Sequence, residues 1–594
     1  MNILMALSQL EVTGAEVYAT TVGNQLTKRG HTVHYVSDTL TKPFLGQFFK
    51  LRFNKRSIPR RFWHVAYLVY LIKKHNIQLV HAHSRASSWS CHVACKITGT
   101  PMVTTVHGRQ PVHRSRKAFH AMGDKALPVC EAIEQQLIEE LDVPASQLTV
   151  SRNGIETQAF SPTEPPNNTK PIITIVGRLT GPKGDLCFRL LDECLDLEQY
   201  DVRVLTGSAM ETRFEQFANK ASFPGYTNDV AQVMRQSDLV IGAGRVAMES
   251  LLCGRPTLAI GEAISIGVID EHNLSHAMAT NFGDIGPNIL DIDFSSIAQE
   301  VEKGLSQPSC APAVTEAIRN NYDLENIVSQ VESVYQDVVI SKLQKEMPIL
   351  MYHRFIDNES KKGTRGPYID IKLFEKHLQL LKRLGFESVT FEDFANKGTI
   401  ERLNPNKRYF MLTVDDGFVD NYELMLPLLK KYGFKAVVYV VTGETYNRWD
   451  VEASDNPDKP FPLMTNEQIK TMADSGYIEI GGHTLSHPFL SKLPYKEQKH
   501  QIEQNKRELE SITGKPLTSF AYPYGDLNEH SKEIARELEF DFAVATNSGP
   551  LAFHQDLYQI RRIAIFPRTS TFGLWRKIRG GYLFKKYPCL TKEL

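Results

Sequence analysis

Short apolar runs alternate with longer stretches of helical period along most of this chain. In the first part the apolar runs fall at residues 2–7, 31–36, 78–82 and 102–106. Strands that alternate with helices in this way form parallel, doubly wound sheets. The pattern therefore predicts an α/β fold that begins with a Rossmann-like domain.

A proline- and asparagine-rich segment at residues 162–171 interrupts this alternation and has the composition of a linker. Beyond it the alternation restarts, with apolar runs at 172–176, 202–206 and 239–242. A helical stretch then leads to Pro348, where a third α/β region begins. Two doubly wound domains leave a cleft between them, and such sheets bind ligands at their carboxyl edges. We predict three domains, at residues 1–165, 166–340 and 346–594.

The composition changes this picture little. The 594 residues are 42% hydrophobic and 23% charged, as in ordinary globular proteins. Lysine plus arginine and aspartate plus glutamate balance at 68 each, which argues against a general nucleic-acid-binding protein. No apolar stretch has the length of a membrane span, and the first residues lack the charged region of a signal peptide. The sequence therefore predicts a cytoplasmic protein.

Three places in the first two predicted domains suit an anionic ligand. Gly14 stands between a strand and a helix, where free backbone N–H groups can face an anion. Arg178 and Lys183 follow the strand at 172–176, and two cations at such an edge suit a diphosphate. Glu249 lies on a predicted helix and can accept hydrogen bonds from ribose hydroxyl groups. The simpler interpretations are an ordinary strand–helix turn, a solvated basic turn and a surface glutamate favoured by the helix dipole.

The order of these motifs resembles that of the retaining glycosyltransferases of family 4, which have the two-domain GT-B fold. The resemblance spans about residues 1–340. It also includes Val106-His107-Gly108 after a strand and Asn153-Gly154-Ile155 before the linker. It implies a nucleotide-sugar donor, with these site residues: Arg178 and Lys183 at the diphosphate, Glu249 at the ribose, Gly14 near the phosphates and His107 near the donor sugar. One position departs from the family, because Ile241 stands where a second glutamate is usual.

Two adjacent carboxylates end an apolar run in the third predicted domain. One carboxylate of the pair Asp415-Asp416 can bind a metal while the other addresses a water molecule, although aspartates before a glycine are also a turn signal. His483 and His487 have a spacing that places both on one face of a helix. With one aspartate they supply three protein ligands and leave a position open, as in catalytic zinc sites.

Two further segments of this region carry candidate chemistry. Tyr524 lies in a proline–glycine turn after a short strand, where a backbone N–H can stabilise an oxyanion. By itself this pattern indicates only a turn. His353 lies in the segment that opens the region, and its simpler interpretation is a core histidine.

Together these segments resemble the polysaccharide deacetylases of carbohydrate esterase family 4, the NodB-homology domain, over about residues 346–594. The resemblance implies a distorted (β/α) barrel. It also implies these roles: Asp415 as general base, Asp416, His483 and His487 as metal ligands, and the Tyr524 backbone N–H facing the tetrahedral intermediate.

This sequence departs from the deacetylase family in two places. Ala521 and Tyr522 occupy the stretch where the family often has an arginine, and residues 558–566 lack the late Leu-x-His motif. The segment around His353 resembles instead the subgroup that acts on poly-N-acetylglucosamine. That resemblance implies that His353 is the general acid.

The pairing of the two halves is similar to that of bifunctional enzymes of lipopolysaccharide-core assembly. It implies transfer of N-acetylglucosamine from UDP-GlcNAc to a glycolipid or oligosaccharide acceptor, and removal of the acetyl group with a divalent metal, Zn²⁺. The alternatives are a non-catalytic carbohydrate-binding first half, or lipid-linked capsule or O-antigen repeats as the product. Residues 48–63 and 575–586 combine basic and aromatic side chains, which suits either the inner-membrane surface or a solvated surface.

Overall fold

The chain folds into two compact units, Met1–Val338 and Val339–Leu594. The computed structural model describes residues 1–8, 14–55, 57–207, 210–225, 227, 229–286, 292–364, 368–395, 403–404, 407–550 and 555–578. Each unit has its own buried apolar clusters.

The first unit begins with a six-stranded sheet. Its strands β1 to β6 are Asn2–Ala6, Thr32–Ser37, Gln47–Lys50, Leu79–Ala82, Met102–Val106 and Lys125–Pro128. All pairs are parallel, in the order β3-β2-β1-β4-β5-β6. The central strands are buried along almost their whole length, because the connecting helices cover a parallel sheet.

A second six-stranded sheet follows in the same unit. Its strands β7 to β12 are Ile172–Val176, Asp201–Leu205, Ser222–Gly225, Leu239–Gly242, Thr257–Ile260 and Ser265–Val268. Their order is β12-β11-β10-β7-β8-β9, and only the pair of β11 and β12 is antiparallel among these strands. The α-helices described from the start of the chain to the last one, which crosses the unit boundary, are Gly14–Lys28, Ile58–Lys74, Arg85–Thr98, Arg114–Ala118, Glu131–Glu139, Gly181–Arg189, Val230–Arg235, Arg245–Leu252, Leu274–Ala279, Ile297–Leu305, Pro312–Tyr322 and Leu324–Glu346.

The second unit is built around a parallel sheet of eight strands. Its strands β13 to β22, which include a separate pair formed by β14 and β15, are Ile349–Tyr352, Arg354–Ile356, Tyr368–Asp370, Phe386–Ser388, Arg408–Val414, Ala436–Val440, Ile478–Gly482, Ser519–Ala521, Phe542–Val544 and Ile563–Ala564. Its described α-helices are Ile371–Arg383, Phe391–Ala395, Leu426–Tyr432, Arg448–Val451, Asn466–Asp474, Tyr495–Thr513, Glu529–Glu537 and Thr571–Ile578.

This sheet closes on itself through one short segment. The strand order is β21-β20-β19-β18-β17-β13-β22, with β16 beside the first half of β17. Ile560 bridges to Val544 at the end of β21, whereas Ile563 and Ala564 pair with β13. The segment therefore contacts both edge strands and completes a distorted barrel.

The predicted fold class is confirmed: the chain is α/β, with two Rossmann-like sheets followed by a barrel. Among the helices of the described ranges, none has the length and apolar character needed to cross a membrane.

Candidate active sites

Three predicted metal ligands meet at the carboxyl edge of the barrel. Asp416 follows β17, and His483 and His487 follow β19. The Asp416 Oδ1 atom lies 3.3 Å from Nε2 of each histidine, and all three side chains are buried. Their donor atoms lie within 4.8 Å of one another, so one ion can contact all three.

The prediction that the two histidines lie on one face of a helix is wrong. β19 ends at Gly482, and the following residues form a bend in which Thr484 and His487 have positive φ values of 67° and 57°. The Gln501 side-chain oxygen holds this bend by accepting hydrogen bonds from the backbone N–H groups of Leu485 and Ser486, both at 3.1 Å. The chain thus turns back on itself, and this reversal brings the two imidazoles together.

A backbone contact orients the His483 ring. Its Nδ1–H donates to the backbone oxygen of Ala521 at 2.7 Å, so Nε2 is the ring nitrogen that faces Asp416. Its backbone N–H donates to Asn505 Oδ1 at 2.9 Å. Burial lowers the pKa of His487, although Asp416 acts in the opposite direction.

Asp415 forms a buried, bidentate ion pair with Arg562, a residue that the sequence analysis missed. The Arg562 Nη1 and Nη2 atoms lie 2.6 and 2.7 Å from the two carboxylate oxygens. Burial raises the pKa of the Asp415 carboxyl, but the Arg562 guanidinium, together with smaller effects of His353 and His483, holds this pKa below its ordinary value. Arg562 lies in the segment that closes the barrel, and its Nε–H donates to the Ala545 carbonyl at 2.8 Å. Its only signal in the sequence is a charged residue within an apolar run.

The two remaining predicted residues lie beside this pair and the metal ligands. His353 follows β13, and its Nε2 atom lies 3.9 Å from Asp415 Oδ2. Asn421 Nδ2 donates to the His353 carbonyl at 2.8 Å, which fixes the backbone there. Tyr524 has a positive φ of 58°, and its ring packs edge-on against His487 at 4.4 Å. All six deacetylase residues predicted from the sequence therefore belong to one connected set of contacts.

Of the predicted donor residues, Lys183 lines a pocket in the first unit, and Arg178 directly follows its lining residue Gly177. The pocket lies at the carboxyl ends of β7, β10 and β11 and is lined by Gly177, Lys183 and Gly242 among others. Lys183 Nζ lies 3.0 Å from Asp284 Oδ1. Arg178 has a side chain that is 56% exposed and lies 3.7 Å from a Glu262 oxygen. The carboxyl edge of this sheet therefore carries two cations beside an open pocket.

Glu249 is buried on the helix Arg245–Leu252, which excludes the surface interpretation. Arg245 Nε donates to its carboxylate at 2.5 Å. Burial raises the pKa of Glu249, and the Arg245 charge opposes the rise. The helix begins directly after Gly244, whose φ of 53° is accessible mainly to glycine.

His107 lies at the carboxyl end of β5, in the first sheet. Its Nε2 atom is 3.5 Å from His83 Nδ1, and its ring contacts Tyr18 edge-on at 5.2 Å. Burial lowers the pKa of His107 to about 4, so the imidazole is neutral at physiological pH. Gly14 is the first residue of the helix Gly14–Lys28, as its predicted role requires.

The His107 loop approaches the donor pocket through one short segment. Arg109 Nη1 donates to the Gly286 carbonyl at 3.1 Å, and Asp284 in the same segment pairs with Lys183. Residues of both sheets of this unit therefore converge near residues 284–286.

Comparisons with known proteins match two separate parts of the chain. The family profile described as Glycosyltransferase Family 4 matches residues 12–159, and that described as Polysaccharide deacetylase matches residues 402–543. A Bacillus subtilis protein named as a polysaccharide deacetylase, YxkH, is 28% identical over 232 residues, which are 39% of this chain and 76% of the relative.

Two further relatives match the chain at lower identity. The Escherichia coli UDP-Gal:alpha-D-GlcNAc-diphosphoundecaprenol alpha-1,3-galactosyltransferase is 23% identical over 314 residues, or 46% of this chain and 78% of the relative. The Staphylococcus aureus poly-beta-1,6-N-acetyl-D-glucosamine N-deacetylase is 24% identical over 237 residues, or 36% of this chain and 77% of the relative. The N-terminal part of the chain therefore matches glycosyltransferase family 4, and the C-terminal part matches the polysaccharide deacetylases.

Proposed function

We propose that this chain transfers N-acetylglucosamine from UDP-GlcNAc to a lipopolysaccharide-core acceptor and removes the N-acetyl group of the transferred sugar. The observation that carries the proposal is the buried Asp415–Arg562 pair, which lies beside three converging metal ligands. Residues 1–165 then form an acceptor domain, 166–340 a donor domain and 346–594 the deacetylase.

The three candidate ligands fit a divalent ion, for which we propose Zn²⁺. Asp416 Oδ1 is buried and has no hydrogen-bond partner among the described residues, although it points between two imidazole nitrogens. An oxygen in this state is costly unless a cation satisfies it. Two histidines and one carboxylate match catalytic zinc sites. The bound ion would polarise the acetyl carbonyl and lower the pKa of a water molecule.

The neighbouring residues divide the proton transfers of amide hydrolysis between them. Asp415, kept ionised by Arg562, accepts a proton from the attacking water. The Tyr524 backbone N–H donates to the oxygen that becomes negative. His353 donates a proton to the departing nitrogen, so that the carbon–nitrogen bond breaks into acetate and a free amine. The poly-N-acetylglucosamine deacetylase among the relatives supports this substrate class.

The first unit supplies the transferase, which we propose to be retaining. Lys183 and Arg178 neutralise the diphosphate that leaves the sugar, and Glu249 accepts hydrogen bonds from the ribose. Gly14 lies near the phosphates at a helix N-terminus. His107, as a neutral imidazole, contacts the donor sugar.

Two specific observations support other versions of this function. The Escherichia coli relative acts, by its name, on a diphosphoundecaprenol-linked sugar, which favours a polyprenyl-linked acceptor as the second candidate. Ile241 is buried in β10 where a family glutamate is usual, which favours a first unit that binds carbohydrate without turnover. Whether the acceptor is the lipopolysaccharide core or a polyprenyl-linked sugar, the enzyme acts at the cytoplasmic face of the inner membrane.

Mass spectrometry of the lipopolysaccharide core tests the proposal in cells that carry the wild type, Asp415→Asn or Arg178→Ala. We expect Asp415→Asn to leave a hexosamine that is heavier by one acetyl group, and Arg178→Ala to leave no added hexosamine. Asp357→Asn and Arg189→Ala are matched controls, because Asp357 pairs with Lys361 at the surface, whereas Arg189 pairs with Glu193, covers the Phe294 ring and does not line the donor pocket.

Two results would change the assignment. If the core is the same in all cells but polyprenyl-linked sugars change, the second acceptor is correct. If purified enzyme binds UDP-GlcNAc but neither hydrolyses nor transfers it, the first unit is a binding module.

A further inference from the structure

The helix Ile58–Lys74 exposes an apolar face that is unusual for this chain. Four of its large apolar side chains face solvent: Ile58, Phe62, Trp63 and Tyr70 are 72%, 73%, 64% and 51% exposed. The opposite face is buried, through His64, Val65, Leu68, Leu71 and Ile72. Since residues 58, 62, 66 and 70 recur every four positions, the exposed side chains form one stripe along the helix. We call these four exposed side chains, Ile58, Phe62, Trp63 and Tyr70, the stripe.

Three rings on this helix contact one another, and the middle one, Tyr67, also packs against the core cluster below the helix. Trp63 and Tyr67 stack at 6.4 Å with an angle of 15° between the rings, and Tyr67 and Tyr70 stack at 6.2 Å. Lys74 Nζ lies 5.2 Å above the Tyr70 ring. The result is a continuous aromatic surface that ends in a cation.

The sequence around this helix is strongly basic. No aspartate or glutamate occurs in residues 39–123, whereas this segment contains fifteen lysines and arginines. The whole chain, by contrast, has 68 residues of each sign. Arg60, Lys73 and Lys74 are exposed on the same helix as the stripe. Basic residues around exposed aromatic side chains are typical of helices that lie on anionic lipid surfaces.

We propose that the stripe is a membrane-docking surface, which inserts its aromatic side chains into the headgroup region of an anionic bilayer. Charge complementarity selects this occupant. A two-fold contact between copies of the chain would place the same basic segment opposite itself, which is unfavourable. The inference rests on the proposed function only in that a lipid-linked acceptor is presented at such a surface.

The structure narrows the two stretches that the sequence suggested for a membrane contact. Residues 48–50 belong to the strand β3, and Leu51 and Phe53 are buried. The apolar side chains available in the predicted stretch 48–63 are therefore those at its end, although Lys50, Arg52 and Lys55 are also exposed, and the surface continues to Lys74. Of the stretch 575–586, residues 579–586 lie outside the described residues.

Sedimentation of the full-length protein with lipid vesicles tests the proposal. We expect binding to phosphatidylcholine vesicles that contain phosphatidylglycerol, and binding to pure phosphatidylcholine to be at least about tenfold weaker, because each basic residue near the surface contributes about fivefold. Phe62→Ser/Trp63→Ser should reduce binding by at least about tenfold. Ile138→Ser, which removes an apolar side chain that is 38% exposed on another helix, is the control and should bind as the wild type does.

Several results would overturn the proposal. One is the absence of binding to either kind of vesicle. Another is a loss of vesicle binding in the Ile138→Ser control as large as that in Phe62→Ser/Trp63→Ser. The third is a wild-type dimer that Phe62→Ser/Trp63→Ser converts to monomers. Circular dichroism confirms that each variant is folded. Acetate release from a soluble oligosaccharide separates this inference from the proposed function: if release persists without vesicle binding, only the docking surface is refuted. If vesicle binding persists without release or transfer, only the proposed function is refuted.

Discussion

Replacement of Arg562 by methionine gives the most direct test of the deacetylase site. The guanidinium makes two contacts of 2.6 and 2.7 Å with Asp415, and the two side chains are 0% and 4% exposed. Methionine retains much of the volume but leaves the carboxylate buried and uncompensated. Removal of one partner from such a pair costs about 3–5 kcal/mol of stability. We therefore expect Arg562→Met to lose acetate release and to lower the free energy of unfolding by this amount.

The pH dependence of this loss has a defined sign. In the wild type Arg562 keeps the Asp415 pKa low, so the pair contributes stability above the unfolded pKa and loses it as the pH falls. In Arg562→Met the burial of Asp415 is opposed only by the smaller effects of His353 and His483, so its pKa rises and that protein is relatively more stable at low pH. The stability difference between the two proteins should be largest at neutral pH and should shrink toward about pH 4.

A double variant separates the charge effect from a loss of packing. Asp415→Asn/Arg562→Met removes both charges, so it should be more stable than Arg562→Met while remaining inactive. Thermal unfolding and acetate release measure the two properties, and UDP binding by the first unit serves as an internal control. The reasoning is refuted if Arg562→Met is as stable and active as the wild type. It is also refuted if the double variant is no more stable than the single one.

Three further predictions address the metal, a buried glutamate and the donor pocket. Chelation should stop acetate release but not sugar transfer. His483→Gln should lower the bound zinc measured by atomic absorption. Equal zinc in the wild type and in His483→Gln would contradict the assignment of His483 as a metal ligand. Burial raises the pKa of Glu479 to about 7, so its contribution to stability is present below its unfolded pKa and lost as the pH rises. Glu479→Gln should therefore gain at most about 3 kcal/mol over the wild type at neutral pH and little near pH 4, as measured by thermal unfolding. Lys183→Ala should raise the KM for the donor by at least about tenfold, whereas Lys220→Ala should leave it unchanged.

Much of the fold was predictable because its signals are local. The strands Ile172–Val176 and Leu239–Gly242 have the bounds that the apolar runs predicted. A buried parallel strand is a short, continuous apolar run, and turn residues end it. The barrel closure at residues 560–564 has no such signal, since it depends on pairing with two distant strands.

The site was predictable where a motif carries its own geometry, and not where tertiary contacts set it. The spacing of His483 and His487 indicated that both rings face one point, but it suggested a helix. The backbone instead reverses at Thr484, held by Gln501 from another element. The partner of Asp415 is 147 residues away in the chain, so no local pattern could identify it.

The Arg562 contact also bears on Ile241, the position at which the first unit departs from the glycosyltransferase family. The deacetylase motif lacks its usual arginine before the proline, yet a guanidinium reaches Asp415 from the segment that closes the barrel. A missing residue in a motif therefore does not imply a missing group in the site, since carboxyl ends of parallel strands meet at one edge.

By the same reasoning, the missing glutamate at position 241 does not imply that the donor site lacks a carboxylate. Asp284 beside Lys183 and Glu262 beside Arg178 already place carboxylates at that edge of the second sheet. If one of them replaces the family glutamate, Asp284→Asn or Glu262→Gln should reduce the kcat of transfer while UDP binding is retained. If neither does, the loss of the glutamate at position 241 is not compensated from these positions, and the binding-module alternative gains support.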